Sequence, residues 1–169
     1  MSICLAPQST TLCEAKKSFT KEDMIQLNAY INFPGNTREA MAFYKECLGG
    51  ELEISLIAGS PIENDMPESA RSGVLHSTLT SENFTLMASD MRPADQLPQE
   101  GPVSLMINCS SDEEASRLFA KLSEGGAVFC PLGPSFWGAT FGGLTDKFGI
   151  NWLVHYAKVS AEQKELATV

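Results

Sequence analysis

His76 and His155 are the only two histidines in the 169 residues, and imidazole is the side chain best suited to moving protons near neutral pH. His76 stands within a strand pattern, with Val74, Thr78 and Thr80 on its face, and Asp90 supplies a carboxylate to orient it as a general base. His155 falls in phase with Asn151 and Leu153 on the last apolar strand. Each histidine also reads as a structural group hydrogen-bonded in or near the core. Trp137 and Phe141 offer a different capacity. They can line a small-molecule cup, with Gly138, Gly142 and Gly143 leaving room near the backbone, or they can simply pack a hairpin.

The five cysteines, Cys4, Cys13, Cys47, Cys109 and Cys130, are odd in number and form no CxxC pair, so neither a disulfide framework nor a zinc knuckle is expected. They fit a reducing cytoplasm, and Cys109 falls on an apolar strand face as a small core residue. No nucleophile elbow, phosphate loop or dinucleotide fingerprint occurs in the chain.

The elements that position these residues follow from periodicity. Phe136–Thr145 and Ile150–Tyr156 are rich in aromatic and β-branched residues and flank the turn Asp146-Lys147-Phe148-Gly149, which predicts a closing β-hairpin. Gly149 supplies a positive φ, and Asp146 accepts from the amides just after it. Upstream, residues 25–33 alternate, with Leu27, Ala29, Ile31 and Phe33 on one face and Asn28, Tyr30 and Asn32 on the other. A helix is predicted over Thr37–Leu48, with Asn36 as N-cap, Ala40, Phe43 and Cys47 on its apolar stripe and Gly49-Gly50 as its stop. Strands follow at 51–57, 72–80 and 84–90, with a long surface loop over 58–71 and a linker over 91–101.

The order then repeats at an offset of 76: Ile31-Asn32 falls on Ile107-Asn108, Phe43 on Phe119, Gly49-Gly50 on Gly125-Gly126 and the Asn36 cap on Asp112. Strand phase, cap, core aromatic and Gly-Gly stop rarely align at one offset by chance. The chain is therefore predicted to be α+β, with two tandem βαβββ modules forming a curved mixed sheet around a central cup. Module 1 spans 24–91 and module 2 spans 102–158 of a single domain over 24–158, between an N-terminal extension at 1–23 and a C-terminal tail at 159–169. On this phase Asn28, Tyr30, Asn32, Ser104, Met106 and Asn108 face the cup, while Leu27, Ile31, Val103, Leu105 and Ile107 face the helices.

Composition narrows the partners. The net charge of −9 leaves no basic patch for nucleic acid or anionic membrane. No apolar run reaches the roughly 20 residues that span a bilayer, and the N-terminus lacks the basic cluster of a signal peptide, so a cytoplasmic location is expected.

Tyr30-Ile31-Asn32-Phe33, Gly35-Asn36, Ala42-Phe43-Tyr44 with Leu48-Gly49, His76, Ser89-Asp90, Phe136-Trp137-Gly138 and Thr145-Asp146-Lys147-Phe148-Gly149 with Trp152 together resemble the PhnB-like branch of the vicinal oxygen chelate superfamily. That superfamily includes glyoxalase I, extradiol dioxygenases and the bleomycin and fosfomycin resistance proteins, and the resemblance covers residues 25–158. It implies paired βαβββ modules, a cup-shaped site and a homodimer. Metal-dependent members hold a divalent ion with His and Glu from the first and last strands of each module. Those positions carry over to Asn28 or Ala29, Met87 or Ser89, Ser104, and Leu153, none of which is a good ligand, so no metal or other cofactor is expected. The resulting expectation is a small-molecule-binding protein, with Asn28, Tyr30, Ser104, Met106, Trp137, Phe141, Leu153 and His155 touching the ligand. The alternative is a lyase, isomerase or oxygenase with an atypical site in which His76 and Asp90 are catalytic. PhnB-like proteins have often been labelled methyltransferases, but no nucleotide-binding loop supports that transfer here.

Overall fold

The structure, a computed structural model, describes residues 26–97 and 101–157; the expected extension at 1–23 and tail at 159–169 lie outside them. Two copies of one unit follow each other. Strand β1 (Ala29–Asn32), helix α1 (Thr37–Leu48) and strands β2 (Glu51–Leu56), β3 (Val74–Thr80) and β4 (Thr85–Ser89) form a sheet of order β1-β4-β3-β2. Strand β5 (Leu105–Asn108), helix α2 (Asp112–Leu122) and strands β6 (Ala127–Pro134), β7 (Ala139–Thr145) and β8 (Asn151–Ala157) form the second, of order β5-β8-β7-β6. In each sheet the lead strand runs parallel to the last and the other pairs are antiparallel. The fold is α+β with the predicted βαβββ connectivity. The strands divide between two four-stranded sheets instead of joining in one.

The offset of 76 holds through β1 and β5 and again at the first residues of β2 and β6. The Gly-Gly pairs explain why. Gly49 and Gly125 take φ of 77° and 73°, a left-handed conformation that favours glycine. At Gly50 and Gly126 a Cβ would run into the carbonyl oxygens of Thr80 and Thr145, so only a bare backbone lets the next strand start against its partner. Beyond that point the copies differ, because residues 57–73 connect β2 to β3 whereas the short turn 135–138 connects β6 to β7.

The helix starts depart from expectation. Asn36 sits at the N-cap of α1, but its side chain makes no capping bond. In α2 the cap is Ser111, one residue before Asp112, and its Oγ accepts from the Glu114 amide at 3.1 Å. Glu114 in turn accepts from the Ser110 amide and hydroxyl, both at 2.7 Å, which holds its carboxyl below the usual glutamate range. That contribution to stability is present above the ordinary glutamate pKa and is lost as pH falls through the lowered one. On α1 the buried stripe is Thr37, Ala40, Met41, Tyr44 and Cys47, with Phe43 half-buried beside it.

One core serves both copies: Phe33, Met41, Tyr44, Leu79 and Leu86 of the first pack with Leu122, Leu144 and Trp152 of the second. Asp146, 3% exposed, sits at its centre. Its Oδ1 accepts from the amides of Phe148 and Ile150 at 2.9 Å, closing the β7–β8 turn. Its Oδ2 accepts from the Tyr44 hydroxyl at 2.7 Å and from Trp152 Nε1 at 2.8 Å. Burial, and next the Asp146 carboxylate, push the Tyr44 hydroxyl far above its ordinary pKa, so it remains a donor. Phe148 meets Phe33, Phe43 and Tyr44 edge-on at 5.7–6.2 Å. Because the helix-side faces of both sheets border this core, their other faces are left open.

Replacing Asp146 by Ala strands four donors, and at about 1–3 kcal/mol for each buried unsatisfied group the loss should exceed roughly 3 kcal/mol. Tyr44→Phe, which leaves the carboxylate three partners, should cost about 1–2 kcal/mol. Denaturant unfolding measures both, and a loss under about 1 kcal/mol for Asp146→Ala would refute the central role of this carboxylate.

Candidate functional site

The open face of the first sheet is polar. Register places Tyr30 beside Met87, Met87 beside Thr78 and Thr78 beside Glu53, with His76 next to Ser55 in the neighbouring row. The Tyr30 hydroxyl lies 3.4 Å from His76 Nδ1, Thr78 Oγ1 lies 3.0 Å from Nε2, and the Tyr30 and His76 rings stack at 5.7 Å. A neutral imidazole has one donor and one acceptor, and a hydroxyl can serve either, so both nitrogens are matched whichever tautomer is present. His76 is thus held on the open face of the first sheet.

Asp90 does not join it. Ala88, two residues earlier, is fully buried on the helix side, and the pleat sends Asp90 the same way. Its Oδ1 accepts from the Gly35 and Thr37 amides, both at 3.1 Å, and from Thr37 Oγ1 at 2.6 Å, while Oδ2 accepts from the Val74 amide at 2.8 Å. The carboxylate expected to orient His76 instead caps α1, supplying the bonds that Asn36 does not. The expected His76–Asp90 catalytic pair is therefore not assembled.

The second sheet opens an aromatic face. Met106 is beside Leu153 and Leu153 beside Gly143; Asn108 is beside His155 and His155 beside Phe141. His155 Nδ1 lies 3.1 Å from Asn108 Oδ1. Trp137, 52% exposed, meets Phe141 at 5.6 Å and Phe136 at 4.6 Å, both edge-on. Met106, Trp137, Phe141, Leu153 and His155 are thus brought together. Asn28 and Ser104 sit just ahead of β1 and β5, and Asn28 lines, with Met106, Leu105, Ile107 and Trp152, a cleft of about 830 Å³ at the seam between the two units.

Sequence reasoning missed Phe129, whose ring lies against Gly143 where a Cβ would collide with it. A bulge is the reason: Val128 pairs with Leu144 and Cys130 with Gly143, so Phe129 is the extra residue and loses the strand's alternation. Thr78 and Asn108 were legible as companions on these faces, though not as partners of the imidazoles.

The metal positions of the superfamily do not fit an ion. Amide, hydroxyl, thioether and alkyl groups stand there, and among the described residues no group of three His, Cys, Asp or Glu could hold one.

Paired βαβββ units on open sheets define the glyoxalase/bleomycin resistance/dioxygenase class. The fold is shared, at 11% identity and a TM-score of 0.52, with an enzyme of that class from Burkholderia phytofirmans, over 78% of this chain and 96% of that one. Within the class the chain belongs to the PhnB-like family, whose model, described as 3-demethylubiquinone-9 3-methyltransferase, matches residues 26–155. Protein PA1353 from Pseudomonas aeruginosa is similar at 41% identity and a TM-score of 0.68, over 80% of this chain and all of that one. A PhnB protein from Bacillus cereus is similar at 28% and 0.64, over 79% of this chain and again all of that one.

Asp90→Ala should cost roughly 2–4 kcal/mol of unfolding free energy, the range for losing a cap and leaving buried donors, while His76→Ala should cost under about 1 kcal/mol. Chemical denaturation distinguishes them, and equal small losses would mean Asp90 is free for chemistry.

Proposed function

We propose that this protein binds a small organic molecule without a metal, in a cup that two copies of the chain complete together. The observation that carries the reading is the pair of open sheet faces. The two units share one core on their helix sides, so the His76 face and the Trp137 face of a single chain do not close on each other. Tyr30, Met106, Phe129, Phe136 and Trp137 are all exposed on or beside them, and exposed apolar groups gathered on one surface mark sites of interaction. Seating the first sheet of one copy on the second sheet of another covers both and encloses a space with one hydrogen-bonding wall and one aromatic wall. The PhnB-like family and its superfamily supply precedent for a cup-shaped site. The donor set at the superfamily's metal positions favours binding over metal-dependent catalysis, and His76, without a carboxylate, serves as a hydrogen-bonding group for the ligand.

Light scattering should show a dimer at micromolar concentration, and Phe129→Asp should raise its dissociation constant at least tenfold, about 1.4 kcal/mol. Protein purified without chelator should carry less than about half an equivalent of transition metal per chain by elemental analysis. A monomeric wild type would remove the cup, and a stoichiometric metal would remove the metal-free reading.

A further inference from the structure

Resting on that reading, we infer that the ligand is a neutral aromatic molecule carrying a hydroxyl or ring nitrogen, and that phosphorylated, sulfated and carboxylated compounds are excluded. Among the described residues, none of the eight strands carries a lysine or an arginine. The only acids on them, Glu51 and Glu53, lie on β2, the edge strand farthest from β1. An anion held against these sheet faces would give up its hydration with no strand-borne ammonium or guanidinium in exchange, a large penalty inside a cup, and Arg117 lines the seam cleft beside Asn28 and Met106 from outside the strands. The net charge of −9 adds a repulsive field.

What the faces do offer suits a flat, uncharged ring. Trp137 and Phe141, set at 66° to one another, present the edge and face geometry in which aromatic groups attract. Phe129 and Met106 extend that wall. Hydrogen bonding comes from matched pairs, Tyr30 and Thr78 around His76, and Asn108 beside His155. A phenol or heteroaromatic nitrogen can insert into either pair because hydroxyl, amide and imidazole groups both donate and accept.

Calorimetric titration of the full chain with 2-naphthol and 2-naphthalenesulfonate compares a neutral hydroxyl with an anionic group on the same ring system. The expected result is a dissociation constant for 2-naphthol at least tenfold lower than for the sulfonate, with no heat from inorganic phosphate. Trp137→Ala should weaken 2-naphthol at least tenfold. Trp137 emission should respond to 2-naphthol while Trp152, 3% exposed, does not. Sulfonate binding as tightly as the naphthol, and depending on Trp137, would overturn the ligand class and leave the cup standing. If neither probe binds in a Trp137-dependent way, the cup and the ligand class both fall.

Discussion

A single buried carboxylate determines how the two halves of this chain meet. Asp146 closes the β7–β8 turn with one oxygen and grips Tyr44 and Trp152 with the other, so the same group that shapes a local hairpin also docks the helix of the other unit against it. A buried charge with four donors costs far less than an unpaired one, and the geometry is unforgiving because each donor comes from a different direction. Once α1 is held there, the helix sides of both sheets share one core. The open faces must then look away from each other.

Asp90 plays a comparable part in the first unit, although it arises at a different place in the repeat. It ties the start of α1 to the strands through the Gly35, Thr37 and Val74 amides. The duplicated units therefore agree in strand phase and in their Gly-Gly stops, and differ in where each places its structural acid. After duplication the β-scaffold is constrained by backbone contacts that only glycine permits, whereas a cap can be supplied by any acceptor within reach.

This difference explains what the sequence disclosed and what it did not. Strand phase from Ala29 and from Leu105 onward, the Thr37–Leu48 helix and the Asp146 turn depend on residues close in the chain, so periodicity and turn chemistry revealed them, whereas Leu27 and Val103, placed against the helices by the same alternation, precede the strands and are 96% and 72% exposed. The cap on α1 comes from Asp90, 53 residues beyond Thr37, and no local signal marks it. Asn36 occupies the expected place and misled the reading for that reason. Phe129 was hidden by a bulge, which leaves no mark in the alternation itself. The two-sheet arrangement was invisible because it turns on which side of each sheet the units share, and that is settled by Tyr44 reaching Asp146 across 102 residues.

Among the described residues no strand carries a lysine or an arginine, which bears on the evolution of the site as well as on the proposed ligand. A metal-bearing cup concentrates acids and imidazoles around an ion, and the remaining wall must tolerate that charge. Here the corresponding positions hold amide, hydroxyl, thioether and alkyl groups, and the proposed recognition rests on ring contacts and hydrogen bonds instead. Such contacts discriminate by shape and by hydrogen-bond pattern, because a site built to pair with a hydroxyl or ring nitrogen loses far more on meeting an analogue that lacks it than an apolar pocket loses on a missing methylene. In the proposed cup, selectivity would rest on the polar pairs around His76 and His155, with Trp137 and its neighbours supplying affinity.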